Sequence, residues 1–193
     1  MARTKEFDPD VALRAALELF WERGYEATSM ADLVERLGVA RASLYATFGG
    51  KRDLYLRALD RYVETVDPQL LRELSRPGPV LPAVRSLLER YAREAAAPQG
   101  RRGCFLVNAS VELAAHDPQA GRRVVASWDH LETALTGALL RAQAQGELDR
   151  RRDARGLARL LLVLLQGIRV VGKVPDATGR LPDAVAQAMA LLD

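Results

Sequence analysis

Apolar residues recur along this chain at intervals of three and four, and no stretch alternates apolar with polar positions, so the pattern predicts helices and no strands. Asp8-Pro9 starts the first helix, with a carboxylate to cap it and proline at the first helical position. Leu13, Ala16, Leu17 and Phe20 form its inward stripe, which ends at Gly24. A second helix is expected over residues 29–37, capped by Thr28 or Ser29. Gly38 follows where a left-handed turn is cheap, and Val39 closes the corner. The next helix turns Leu44 and Phe48 inward, four apart, and leaves Arg41, Ser43, Tyr45, Ala46 and Thr47 on its other face. Two short helices joined this way, with another starting at Lys51, form a helix-turn-helix whose second helix enters a DNA major groove.

Beyond residue 50 the helical pattern continues without a DNA-binding motif. Leu54, Ala58, Leu59, Tyr62 and Val66 line a connecting helix expected to stop before Pro68. Arg76-Pro77-Gly78-Pro79 is a break, and Val84, Leu87, Leu88 and Tyr91 mark a helix that ends near Pro98. Another is expected over 104–115. Asp117-Pro118 opens a long one carrying Val124, Trp128, Leu131, Leu135 and Leu139 as far as Gly146. Helices over 157–171 and 181–192 close the chain. The fold class is therefore all-α, about nine helices, with a helix-turn-helix domain at 1–50 and a helical domain at 51–193.

The helix that follows Asp153 is apolar nearly all round. A membrane span needs about 20 apolar residues, and this run is shorter and broken by Arg159, Gln166 and Arg169. With no signal peptide at the start of the chain, a cytoplasmic protein is expected and no membrane partner. Such a helix is covered either by the core of its own subunit or by a second copy, and Gly156, Gly167 and Gly172 would admit a close neighbour.

Charge sharpens the DNA reading locally. The chain carries 28 Lys plus Arg against 25 Asp plus Glu, and residues 1–62 hold ten of each sign. Within residues 36–52, however, there are four basic residues and no acidic one. Phosphate binding follows the placement of charge, so this patch outweighs the neutral total. The leading arm, with Arg3 and Lys5, is either a further DNA contact or a disordered terminus.

Cys104, Asn108, Glu112 and His116 fall at every fourth position. They form either a polar stripe facing a ligand or an internal hydrogen-bond network on a partly solvated face. Cys104 is the single cysteine, so no intrachain disulfide forms. It is either an inert buried thiol or one that senses electrophiles, with Arg101 and Arg102 nearby to favour the thiolate. Glu112 and His116 make only two metal ligands, so no metal and no cofactor are expected. With two histidines, no phosphate-cradling loop and no nucleophile–base set, enzymatic chemistry has nothing to build on.

Gly24-Tyr25, Thr28-Ser29, Gly38-Val39, Leu44-Tyr45, Phe48 and Lys51-Arg52-Asp53-Leu54 stand in the order and spacing that resemble the DNA-binding domain of the TetR/AcrR family of bacterial regulators. One position departs: Ala40 stands where the family often places a capping Ser or Thr. The resemblance implies a homodimeric repressor of a palindromic operator, released by a small-molecule effector. It assigns Arg41, Ser43, Tyr45 and Thr47 to bases or phosphates, Lys51 to a phosphate, and Thr28 or Ser29 to a cap facing the DNA backbone. Arg41 reads a guanine edge, clamps a phosphate or stays solvated; Tyr45 contacts DNA or packs on its own helix. The last two helices, at about 153–172 and 181–192, would pair with their copies. Tyr62, Tyr91, Cys104, Phe105, Asn108, Glu112 and Trp128 would border a cavity for an unknown, hydrophobic effector. The alternative is a dimeric ligand-binding or electrophile-sensing module with weakened DNA binding.

Overall fold

The computed structural model describes residues 7–192, apart from the side chains at 66, 67 and 69; the expected arm contacts of Arg3 and Lys5 lie outside the described residues. Within them the chain forms nine α-helices and no strand: α1 (Pro9–Arg23), α2 (Met30–Leu37), α3 (Arg41–Phe48), α4 (Lys51–Leu74), α5 (Val80–Ala96), α6 (Phe105–Glu112), α7 (Pro118–Gln145), α8 (Ala154–Val171) and α9 (Leu181–Ala190), with short 3-10 turns before α6 and α9.

Local chemistry sets the boundaries. Asp8 caps α1, its carboxylate accepting from the N–H groups of Asp10 and Val11. Ser29 caps α2 in a reciprocal box with Asp32, and Gly38 ends it at φ 63°, where other residues would be strained. Asp117 caps α7 by accepting from Gln119 and Ala120. The buried face of α1 runs through Ala12, Ala16, Leu19 and Phe20, rotated from the expected stripe, so Leu13 and Leu17 are only partly covered.

The connecting helix does not stop before Pro68. It continues to Leu74 with the proline inside it. An interior proline removes one backbone hydrogen bond and crowds the preceding turn, at roughly 3 kcal/mol. Burial of Leu70 and Leu74 beyond it offsets that cost.

Two apolar clusters share the molecule. One joins α1, α2, α3 and the first half of α4 to α6 and the start of α7, through Phe20, Leu44, Phe48, Tyr55, Phe105, Leu113 and Val124. The other packs the end of α4 with α5, the end of α7, α8 and α9. The helix-turn-helix therefore shares its core with α6 and α7, and packing does not divide at residue 50. Among the described residues no helix is long and apolar enough to cross a membrane.

Candidate DNA-binding surface and effector cavity

The corner between α2 and α3 is held from within by Leu33, Val39, Leu44 and Phe48, all buried. That packing turns Arg41 and Tyr45 outward. Tyr45 is 45% exposed, an unusual position for a large aromatic, and the Arg41 guanidinium lies 5.7 Å from its ring centroid. Ser43 and Thr47 are half-buried on the same helix. Ala40 supplies no side-chain cap, so the first turn of α3 keeps free N–H groups. Lys51 spends one donor on the Tyr25 carbonyl at 2.9 Å and rests 4.1 Å from the Tyr25 ring centroid.

Two expectations about this surface change. Thr28 is fully buried and its hydroxyl donates to the Gly24 carbonyl at 2.6 Å, so it faces the core; Ser29 is the exposed cap. Arg52 leaves the basic patch for Asp117, with bonds of 2.5 and 3.0 Å. That guanidinium, together with the capped backbone of α7, holds the Asp117 carboxyl down at a pKa of about 2.

A cavity of about 50 Å³ lies among α4, α5, α7 and α8, beside the start of α6. Tyr62, Tyr91, Cys104 and Trp128 line it, joined by Gln166 and Arg169. The Tyr62 hydroxyl donates to the Cys104 sulfur at 3.2 Å, and burial, then the sulfur beside it, push the Tyr62 pKa well above its ordinary value. The same ring packs edge-on against Trp21 of α1 at 5.0 Å, and the Trp21 indole donates to the Gly103 carbonyl.

Three expected lining residues point elsewhere. Phe105 is core, between the rings of Tyr55 and Tyr62. Asn108 donates to the Arg102 carbonyl and accepts from Lys173. Glu112 accepts the backbone N–H groups of Tyr25 and Glu26, at 3.0 and 2.8 Å. Residues four apart drift by about 40° per step around an α-helix, so the stripe winds away from the cavity instead of facing it. His116 is exposed, and no cluster of metal-ligating side chains occurs among the described residues. Arg101 is exposed, and Arg102 is committed to Glu18 at 2.6 Å over the Trp21 ring, so neither serves the thiol. Arg169 is a cation in electrostatic contact with Cys104. Sequence reasoning missed Arg169 and Gln166 as cavity residues, although both interrupt an otherwise apolar helix.

Comparison with known proteins finds family matches in two parts of the chain. The family described as "Bacterial regulatory proteins, tetR family" matches residues 12–58, and "Tetracyclin repressor-like, C-terminal domain" matches residues 80–189. The uncharacterized HTH-type transcriptional regulator YezE of Bacillus subtilis is 38% identical over 194 residues, spanning 100% of both chains. The HTH-type transcriptional repressor ComR of Escherichia coli is 32% identical, over 87% of this chain and 80% of its own. Among solved structures, a cysteine-substituted form of the TetR family regulator CifR complexed with 26bp operator DNA superposes with a TM-score of 0.85 at 28% identity, covering 100% of both chains. With matching patterns at both ends of the chain and relatives along its whole length, this protein belongs to the TetR family of transcriptional regulators.

Proposed function

We propose that the protein is a cytoplasmic homodimeric repressor that binds a palindromic operator through α3 and is released when a small molecule enters the cavity at Tyr62 and Cys104. The observation that carries this reading is the short path from cavity to DNA-binding domain: Cys104 to the Tyr62 hydroxyl, and Tyr62 to the Trp21 ring on α1. A ligand acts only through different affinities for the DNA-competent and incompetent states. Repacking Tyr62 supplies such a difference, because α4 carries both Tyr62 and Lys51. The operator complex of CifR and the name of ComR as a repressor support the DNA-binding half.

Dimerisation through α8 and α9 is supported by Leu160, Val163, Val170 and Leu191, which stay 44–67% exposed. Two recognition helices must reach half-sites about 34–36 Å apart, which a dimer achieves and a monomer does not. The test is binding to DNA upstream of the protein's own coding region, by anisotropy across a salt series, with Val163→Arg as the dimer-breaking variant. A steep loss of affinity with salt, and a further loss in the monomeric variant, is expected. Salt-independent binding sinks the proposal.

A second trigger is favoured by one contact. Cys104 is the acceptor of the Tyr62 hydroxyl, so modifying its sulfur would disturb the same path.

A further inference from the structure

Two residues that line the cavity each carry a buried nitrogen donor with no hydrogen-bond partner among the described residues: Nε1 of Trp128 and Nε of Arg169. Leaving a buried donor unpaired costs the desolvation of that group. An indole N–H and a guanidinium N–H can donate and cannot accept. What completes this site is therefore an acceptor.

Charge narrows the class of acceptor. Arg169 pairs with Glu94 at 3.1 Å, Glu94 also with Arg90 at 2.9 Å, and Arg90 with Glu73 at 2.7 Å. These pairs hold two acids and two bases. A carboxylate placed here would add a further charge beside Val63, Leu70, Leu106 and Leu131, which face the same space. A neutral carbonyl oxygen brings no such charge and offers two lone pairs, one for each donor.

Resting on the reading of this cavity as the effector site, we propose that the cavity takes a small neutral molecule with an apolar body and one carbonyl oxygen (a ketone, ester or amide), the oxygen accepting from Arg169 Nε and Trp128 Nε1. The size limit follows from the volume. One water position takes about 10–15 Å³ of such space, so a cavity of about 50 Å³ admits roughly three to five heavy atoms before the walls move.

The test titrates the full-length protein with butanone, butyrate and butylammonium, followed by thermal shift and tryptophan emission, with operator affinity measured alongside. Butanone is expected to bind saturably, and butylammonium, which brings only donors, is not. Trp128→Phe keeps the aromatic wall and removes one donor, and should weaken butanone about fivefold to tenfold, the factor for one hydrogen bond. Arg169→Lys should weaken it likewise, and circular dichroism confirms that each variant is folded. Tighter binding of butyrate overturns the neutral assignment. Equal butanone affinity in Trp128→Phe and the parent overturns the donor assignment. Saturable butanone binding that leaves operator affinity unchanged supports the site and overturns the ligand-responsive reading. Operator release by butylammonium, unweakened in Trp128→Phe, overturns this inference and leaves that reading standing.

Discussion

Glu112 Oε2 accepts the backbone N–H of Tyr25 at 3.0 Å, across 87 residues of sequence. Its other oxygen takes Glu26 N–H, so one carboxylate on α6 holds the corner where α1 ends. It sits close enough to Gly24 that an added Cβ there would lie 3.0 Å from it. Hydrogen bonds to a charged acceptor contribute about 1.5–3 kcal/mol each, less where solvent reaches them. Glu112→Ala should therefore lower stability by about 1–3 kcal/mol, read as a Tm drop of several degrees in thermal unfolding. Cavity binding should be unchanged, since Glu112 does not line it; a loss of ligand affinity would restore it to the effector site.

The misplacement of Glu112 shows where reading the sequence stopped. The helix-turn-helix was legible because Gly38, Val39, Leu44 and Phe48 act within a few residues of one another, where spacing alone determines facing. Helix ends marked by Asp8, Asp117 and Gly146 were legible for the same reason. The partners of Glu112, Arg52 and Arg102 lie 65 to 87 residues away, and no local pattern encodes them. Pro68 misled in the opposite direction, because a local rule yielded to burial of Leu70 and Leu74 in a distant core. Arg169 and Gln166 were visible as interruptions in an apolar helix, yet only the packing of α8 against α5 and α7 shows that they border a cavity.

Asp117 gives the molecule an acid-sensitive joint. Its folded pKa of about 2 lies below the ordinary carboxylate value of 3.8, so the ionised form favours folding. That contribution is complete above about pH 4 and is lost as pH falls through 4 to 2. Asp117→Asn keeps the helix cap but removes the charge opposite Arg52. Urea midpoints for the two proteins should differ at neutral pH and converge as pH falls towards 2. A gap that persists at the acid end would assign the effect to geometry instead of charge.

Ala40 leaves the start of the recognition helix uncapped. Ala40→Ser supplies an acceptor for the free N–H groups there and should stabilise by about 0.5–1 kcal/mol. In a chain of this size that is a Tm gain of about 1–4 °C. Differential scanning calorimetry decides it; no gain would mean that the first turn of α3 is already satisfied by solvent.

Arg41 and Lys51 should fail differently. Lys51 keeps two donors after serving the Tyr25 carbonyl, enough for one phosphate oxygen. Lys51→Ala should weaken all DNA sequences alike and reduce the salt slope by about 0.9. Arg41→Ala, if the guanidinium reads a base, should cost about 1–3 kcal/mol on the operator and much less on unrelated DNA. Anisotropy on both duplexes over a salt series separates the roles. Uniform weakening in Arg41→Ala would make it a phosphate clamp.

Cys104 and Tyr62 provide the last test, because the sulfur is both a cavity wall and the acceptor of the Tyr62 hydroxyl, whose ring packs against Trp21. Attaching a group to the sulfur enlarges it inside a cavity of about 50 Å³, and Tyr62 must then repack. Electrophile treatment should release the parent protein from its operator, while Cys104→Ser, whose smaller hydroxyl still accepts from Tyr62, should stay bound. Tyr62→Phe removes the hydroxyl and keeps the ring on Trp21, so it should still respond if bulk is the signal and lose its response if the hydrogen bond is. Equal release of the parent and Cys104→Ser would leave the cavity ligand as the sole trigger.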